Sequence, residues 1–347
     1  MTLFCAVGHG VAQDMSATSG SAGFFTQNIP LISGGAGFLT KTSGGKTTYE
    51  PIAEPLIAAP IGEHFLFESR ALLVETFKPA SGSDGGYDHK HTVTLTYMQG
   101  DYIANPHLNI IGGSYLIPFG TYNERLSPLW IENFQDGPLI QGLGLMGTGT
   151  GVGGQARGSV ISRPKYSIDY AGYFSTHSNN QYYASDHSAG GRASLYLPEQ
   201  GLEIGLSYGR SLEGPSASHE NFYGSHVWWT PKNTGFRLRS EFARGQHALG
   251  YWVEADDRLQ AFGGQNSIIG RFEPLFRIQQ TFRLDTLVSD GLPLVDEQRA
   301  DFGFNYNLPH NTRILTSYSR QFASTGNTNI WETGIVYRFL FPTWKGR

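Results

Sequence analysis

The stretch LEIGLSYG, Leu202 to Gly209, decides the fold: Leu202, Ile204, Leu206 and Tyr208 alternate with Glu203, Gly205, Ser207 and Gly209. A period of two throws every apolar side chain onto one face of an extended strand. The pattern recurs on both sides of this stretch. Phe236, Leu238 and Phe242 oppose Arg237, Arg239 and Glu241, and Phe302, Phe304 and Tyr306 oppose Arg299, Asp301, Gly303 and Asn305. Upstream, Val93, Leu95 and Tyr97 alternate with threonines, and Tyr166, Ile168, Tyr170 and Phe174 alternate with Ser167, Asp169 and Ala171. The segments with this alternation number about fourteen, or about sixteen if irregular regions hide two.

The connections carry a second signal. Short proline-led turns at Pro198 to Gly201, Pro231 to Gly235 and Pro309 to Thr312 join strands as tight hairpins do. Longer polar loops, at 176–189, 211–222, 283–297 and 322–328, fall at the opposite strand ends. A soluble sandwich has no reason to segregate loop length by end, whereas a membrane barrel does so routinely.

Composition agrees. Charged residues are only 16% of the 347, aromatics are 13% and glycines number 45, against a usual charged share of roughly 25%. No run of about 18 apolar residues exists to make a spanning helix, and the mean hydropathy is -0.28. Alternating lipid-facing and lumen-facing residues dilutes the apolar signal in this way. An open sheet edge in lipid would leave backbone polar groups unpaired at several kcal/mol each, so the strands must close. The fold expected is therefore all-β: a closed antiparallel transmembrane barrel of about 14 to 16 strands.

Residues 64–347 are expected to form the barrel and 14–63, rich in glycine, serine, threonine and proline, an irregular leader. Residues 1–13, with the single cysteine Cys5, resemble the end of a secretory signal with cleavage after Ala12. One cysteine permits no disulfide framework.

The net charge of -4 and the lack of Lys/Arg runs argue against nucleic acid as a partner. Gly149, Gly151 and Gly154 satisfy G-x-G-x-x-G, but no strand-then-helix context surrounds them. The eleven histidines include no HExxH pair, so no metal site is expected. No nucleophile elbow is read in the chain, and neither enzymatic activity nor a cofactor is expected.

The last strand reads Asn329 to Phe341, with Trp331, Ile335, Tyr337, Phe339 and Phe341 on one face and Glu332, Gly334, Val336 and Arg338 on the other. Glu332, Gly334, Tyr337 and Phe339 follow the order of the C-terminal signal that the outer-membrane assembly machinery reads. The segments LNIIGGSYLIPFGTYNERLSPLW (Leu108 to Trp130), QARGSV, GRFEPLFRI, FGFNYNLPHNTRILTSYSR and IWETGIVYRF also resemble bacterial porins of the phosphate-selective porin O and P family. The resemblance spans most of 64–341 and implies sixteen strands, a homotrimer in the bacterial outer membrane, an inward-folded third loop, and passive diffusion of small hydrophilic solutes or ions. A structural or adhesin-like barrel with a plugged lumen is the alternative.

The segment Gly120 to Gly154 is too long for a hairpin and is read as the constriction loop. Glu124, Arg125, Glu132, Asp136 and, just beyond it, Arg157 are the expected source of a field across the narrowest water path. Between Asp101 and Val160 there is no lysine, so the clustered lysines that phosphate selectivity relies on in that family are missing. The expected lumen set is Arg192, Arg237, Arg239, Arg271, Arg277, Arg299, Arg313 and Arg338 beside Glu241, Glu273, Asp301 and Glu332. Its cationic tilt points to weak anion preference.

Overall fold

A computed structural model describes residues 30–81, 85–141, 149–180, 182–213, 219–264, 266–285 and 293–342. The expected signal region 1–13 lies outside them. Strands β1 (Leu31–Ser43), β2 (Lys46–Ile61), β3 (Phe65–Pro79), β4 (Tyr87–Asn105), β5 (Leu108–Leu116), β6 (Thr150–Ser162) and β7 (Ser167–Thr176) lead into a small ribbon of β8 (Ser178–Asn180) and β9 (Tyr183–Ser185). The second half contains β10 (Ser188–Leu197), β11 (Leu202–Ser211), β12 (Asn221–Trp229), β13 (Phe236–Arg244), β14 (Ala248–Asp257), β15 (Phe272–Arg283), β16 (Glu297–Leu308), β17 (Thr312–Ala323) and β18 (Thr328–Pro342).

All strands except β8 and β9 form one closed barrel of sixteen, each pairing with its neighbours and β1 closing on β18. The seam is antiparallel and runs from Leu31 opposite Pro342 to Ser43 opposite Ile330. Closure gives every strand two partners and removes the unpaired edge that lipid could not solvate. The exposed wall is apolar and aromatic: Phe65, Ile110, Phe174, Leu206, Tyr223, Phe302, Trp331 and Phe341 all stand out from it. The intervening positions, such as Glu241, Asp301 and Glu332, are buried inside.

The irregular leader assigned to 14–63 is corrected in its second half, where β1 and β2 occupy 31–61. Glycines and prolines hid them. Pro51 and Pro55 lack the N–H a ladder needs, and the partner series between β2 and β3 passes from Tyr49 to Ile52 and from Ala53 to Leu56, skipping both. Gly35 on β1 is small because the barrel interior requires it: a Cβ there would stand 3.1 Å from Trp130 and 3.4 Å from Leu129.

The segregation of turns has three exceptions, the first being the two-residue turn 44–45 between β1 and β2 at the long-loop end. The long-loop end also carries the brief connection 245–247, and the short-turn end carries 258–271 with two single 3-10 turns. Long loop 177–187 holds the β8–β9 ribbon, whose Tyr182 carbonyl accepts from Leu95 N at 2.9 Å, so it covers part of the β4 edge above the end of β5.

Candidate functional site: the loop inside the barrel

The connection from β5 to β6 begins at Ile117, not Gly120, and Thr150 to Gly154 belong to β6 rather than to the loop. Residues 142–148 lie outside those described. Pro118 cannot continue the β5 ladder, and Gly120, at φ +63, turns the chain inward. Left-handed backbone of this kind suits glycine. A Cβ on Gly120 would also stand 2.7 Å from the Glu241 carboxylate, so the turn and the wall acid occupy adjoining space.

Wall side chains then take up the loop's backbone donors. Glu241 accepts from Thr121 N, from Thr121 Oγ1 at 2.7 Å and from Tyr122 N at 2.7 Å. Glu54 accepts from Leu129 N and Gln279 from Leu139 N, both at 2.7 Å. These side-chain oxygens do for the loop what water does for an exposed one, since a buried N–H without an acceptor costs about 1–3 kcal/mol. Apolar packing completes the anchorage. Ile117, Phe119, Tyr122, Leu126 and Ile140 pack with Tyr173 and Trp252 of the wall, while Leu129 packs with Leu39, Leu315 and Val336 on the far side.

Ion pairs tie the loop to both halves of the barrel. Glu124 lies between Arg157 at 2.5 Å and Arg192 at 2.7 Å, and Arg125 reaches Glu203 at 2.7 Å. Asp136 bridges Lys41 at 2.5 Å and Arg299 at 2.7 Å. Asn133 donates to Glu254 at 3.0 Å, and Arg313 donates to the Trp130 carbonyl at 3.2 Å. Behind the loop, Arg277 pairs with Asp301 at 3.0 Å and donates to the Asp136 carbonyl at 2.7 Å. Arg239 joins Glu254 at 2.9 Å and Asp256 at 2.5 Å, and Arg237 joins Asp256 and Glu273.

Of the sequence-expected loop set, Glu124, Arg125 and Asp136 meet wall charges, Glu132 is held within the loop by the Tyr122 hydroxyl, and Arg157 stands on β6 facing Glu124. The lumen set Arg192, Arg237, Arg239, Glu241, Glu273, Arg277, Arg299, Asp301, Arg313 and Glu332 lies on inward strand positions. Arg338 shares the inward alternation of β18 but lies beyond the loop's contacts. Arg271 departs from the expectation: it ends a 3-10 turn at the short-turn end, where its carbonyl accepts from Asn307 at 3.2 Å. Sequence reasoning passed over Lys41, Glu54, Glu203, Glu254 and Asp256. Alternation alone could have found the last two, since Trp252, Glu254 and Asp256 share the inward face of β14.

Gly205 to Gly209, GLSYG, does spell the G-x-S-x-G pattern of a nucleophile elbow, contrary to the sequence reading. It runs straight through β11, and Ser207 Oγ accepts from Gly120 N at 3.0 Å. A nucleophile elbow needs a sharp strand-to-helix turn. The G-x-G-x-x-G run likewise lies largely within β6. Among the described residues no group of three His, Cys, Asp or Glu could hold a metal ion.

In several of the pairs that reach water, the cation is the more exposed partner. Arg237 has 34% of its side chain exposed while its partner Asp256 has none; Arg157 has 31% exposed over 9% for Glu124. Asp136 is the reverse case, 23% exposed against 4% for its partner Arg299, so the water-reaching charges are mostly but not wholly cationic.

Burial opposes ionisation of Glu124, but Arg157, Arg192 and Arg125 outweigh it and hold the carboxyl down to about 2, from an ordinary 4.5. Burial pushes the Glu132 carboxyl well up, against the Tyr122 hydrogen bond and Arg277. A folded value below the unfolded one contributes stability that is present above about pH 4.5 and lost as pH falls through about 2. The Glu124 anchor is thus expected to persist to below pH 4. Single-channel current followed from pH 7 to pH 2 checks this, with Glu124→Gln expected to show the acid-induced change already at neutral pH.

No family model and no curated protein matches the chain. Solved structures do match its fold. The OmpF porin of Salmonella typhi, solved with daunomycin, superposes with a TM-score of 0.61 at 12% identity, covering 91% of this chain and 100% of that one. The loop-deleted OmpT of Vibrio cholerae gives 0.57 at 9%, covering 90% and 100%. An anion-selective porin from Comamonas acidovorans gives 0.52 at 10%, covering 90% and 98%. At these identities the likeness is one of architecture, and it is specific: the chain has the sixteen-stranded barrel fold of the outer-membrane porins.

Proposed function

We propose that the chain is an outer-membrane porin, a water-filled channel for passive diffusion of small hydrophilic solutes or ions, with a weak preference for anions. The observation that carries this reading is the loop of residues 117–141, folded inside the barrel and anchored to wall charges whose cationic partners face the water. A charged constriction on a wet path sets ion preference through the groups a permeating ion meets first. The same reading includes residence in the bacterial outer membrane, insertion through the signal Glu332, Gly334, Tyr337 and Phe339, and assembly as a homotrimer. It does not include phosphate selectivity, because no lysine lies between Asp101 and Val160.

Planar-bilayer recording tests it. The purified chain is expected to give discrete current steps, and its reversal potential in a salt gradient is expected to have the sign of anion preference. Arg157→Gln and Arg237→Gln are each expected to move that potential toward cations, because each removes a water-facing charge and leaves its sunken carboxylate in place. No current above background would favour the structural barrel with a plugged lumen, for which the reach of the loop from β13 across to β1 and β2 speaks.

A further inference from the structure

We propose that the outward face of β11 to β13, at the long-loop end, is a binding site for a phosphate-bearing lipid headgroup, with Arg210 and Arg244 as its anion-binding pair. The argument begins with where the barrel keeps its cations. Lys41 and the arginines at 70, 157, 192, 237, 239, 277, 299 and 313 point inward, and each has a carboxylate or loop carbonyl partner. On the outward face, alternation leaves three arginines within barrel strands: Arg210, Arg244 and Arg320. All three fall in the last residues of strands that run toward the long-loop end.

An arginine on a lipid-facing wall is costly at the bilayer midplane and close to neutral near the interface. Their position therefore marks the headgroup level. Arg320 is engaged, donating to Asn329 and lying over the Phe322 ring. Arg210 and Arg244 are exposed, and no carboxylate of the described residues pairs with either. The nearby loop acids are committed elsewhere: Glu213 to His187 at 3.2 Å and Glu220 to His247 at 3.0 Å.

The register brings the two arginines together. Arg210 lies opposite Asn221, and Arg244 lies opposite Tyr223, two residues along the same strand β12. Two interstrand spacings and a two-residue offset separate their Cα atoms by about 12 Å. Two long side chains leaning over β12 can both reach one phosphate at that separation. Guanidinium groups suit it, since they donate paired hydrogen bonds to phosphate oxygens. In the same register row as Arg244, and two residues back from Arg210, Tyr208 and Tyr223 stand exposed with ring centroids 5.6 Å apart, an aromatic surface of the kind found at the membrane interface. A lipid satisfies both halves of the site, whereas a free anion uses only the arginines.

The test uses the full chain in nonionic detergent, titrated with dioleoyl phosphatidic acid and followed by native mass spectrometry. Dioleoylglycerol, which has the same chains without phosphate, and inorganic phosphate are the comparison arms. Phosphatidic acid is expected to be retained and dioleoylglycerol not. The Arg210→Gln/Arg244→Gln double variant is expected to weaken retention by about ten-fold or more, and Arg210→Lys/Arg244→Lys to recover part of it. A gel shift on boiling confirms that each variant is a closed barrel. Equal retention by the glutamine variant, equal retention of dioleoylglycerol, or displacement by inorganic phosphate at matching concentration would each overturn the proposal.

Discussion

Arg277→Ala is expected to destabilise the barrel by about 3–5 kcal/mol, seen as a lower midpoint for loss of the heat-modifiable form in urea. Arg277 is completely buried and lies between Asp301, 3.0 Å away, and Glu254, 3.7 Å away. Removing it takes one of two cationic partners from each carboxylate, leaving Asp301 with Arg299 and Glu254 with Arg239 in a buried cluster short of one positive charge, and buried charge without full compensation costs far more than the pair contributes when intact. It also removes the 2.7 Å hydrogen bond to the Asp136 carbonyl and the contact with the Phe134 ring, 4.6 Å from the guanidinium carbon. The loop should therefore loosen before the barrel opens, and current noise should rise at urea concentrations that leave the gel shift intact. Arg277→Lys keeps the charge without the planar fork and is expected to fall between the two. An alanine variant as stable as the parent would mean that Arg299 and Arg239, with whatever water enters, compensate both acids without Arg277.

Glu241→Ala is expected to release the root of the loop. One carboxylate oxygen serves Thr121 N, Thr121 Oγ1 and Tyr122 N, and at about 1–3 kcal/mol for each donor left unsatisfied the anchor is worth several kcal/mol. The barrel itself should survive, because β13 keeps its ladders to β12 and β14. The predicted signature is a larger and noisier single-channel conductance with an unchanged gel shift. Glu241→Gln retains one acceptor oxygen and should lie close to the parent. A conductance equal to the parent's in the alanine variant would show that apolar packing around Tyr122 and Trp252 holds the loop unaided.

The architecture was legible where one face is consistently apolar. In β11, β13 and β16 the inward positions hold charge and the outward positions hold Leu, Phe and Tyr, so a period of two survives. It was illegible in β1 and β2. There the inward face must admit Leu129 and Trp130, which selects Gly35, and prolines on the outward positions of β2 imitate a loop. The site was partly legible for a related reason. Loop acids such as Glu124 and Asp136 stand out in a stretch poor in charge, but their partners Lys41, Arg192 and Arg299 are distant in sequence and meet them only once the barrel closes. Glu54 could not have been singled out, because its role is to accept a backbone N–H from Leu129, a group every residue but proline has.

Where Arg157 and Arg237 stand in front of Glu124 and Asp256, the inner wall carries an oriented double layer, positive toward the axis and negative behind it. Such a layer raises the potential along the water path without requiring a net positive protein, which is how a chain of charge -4 can still favour anions. Its influence decays over about 10 Å in 0.1 M salt and about 3 Å in 1 M. Discrimination should therefore fade as salt is added while the channel goes on conducting, and ion choice becomes a property of the medium as much as of the protein.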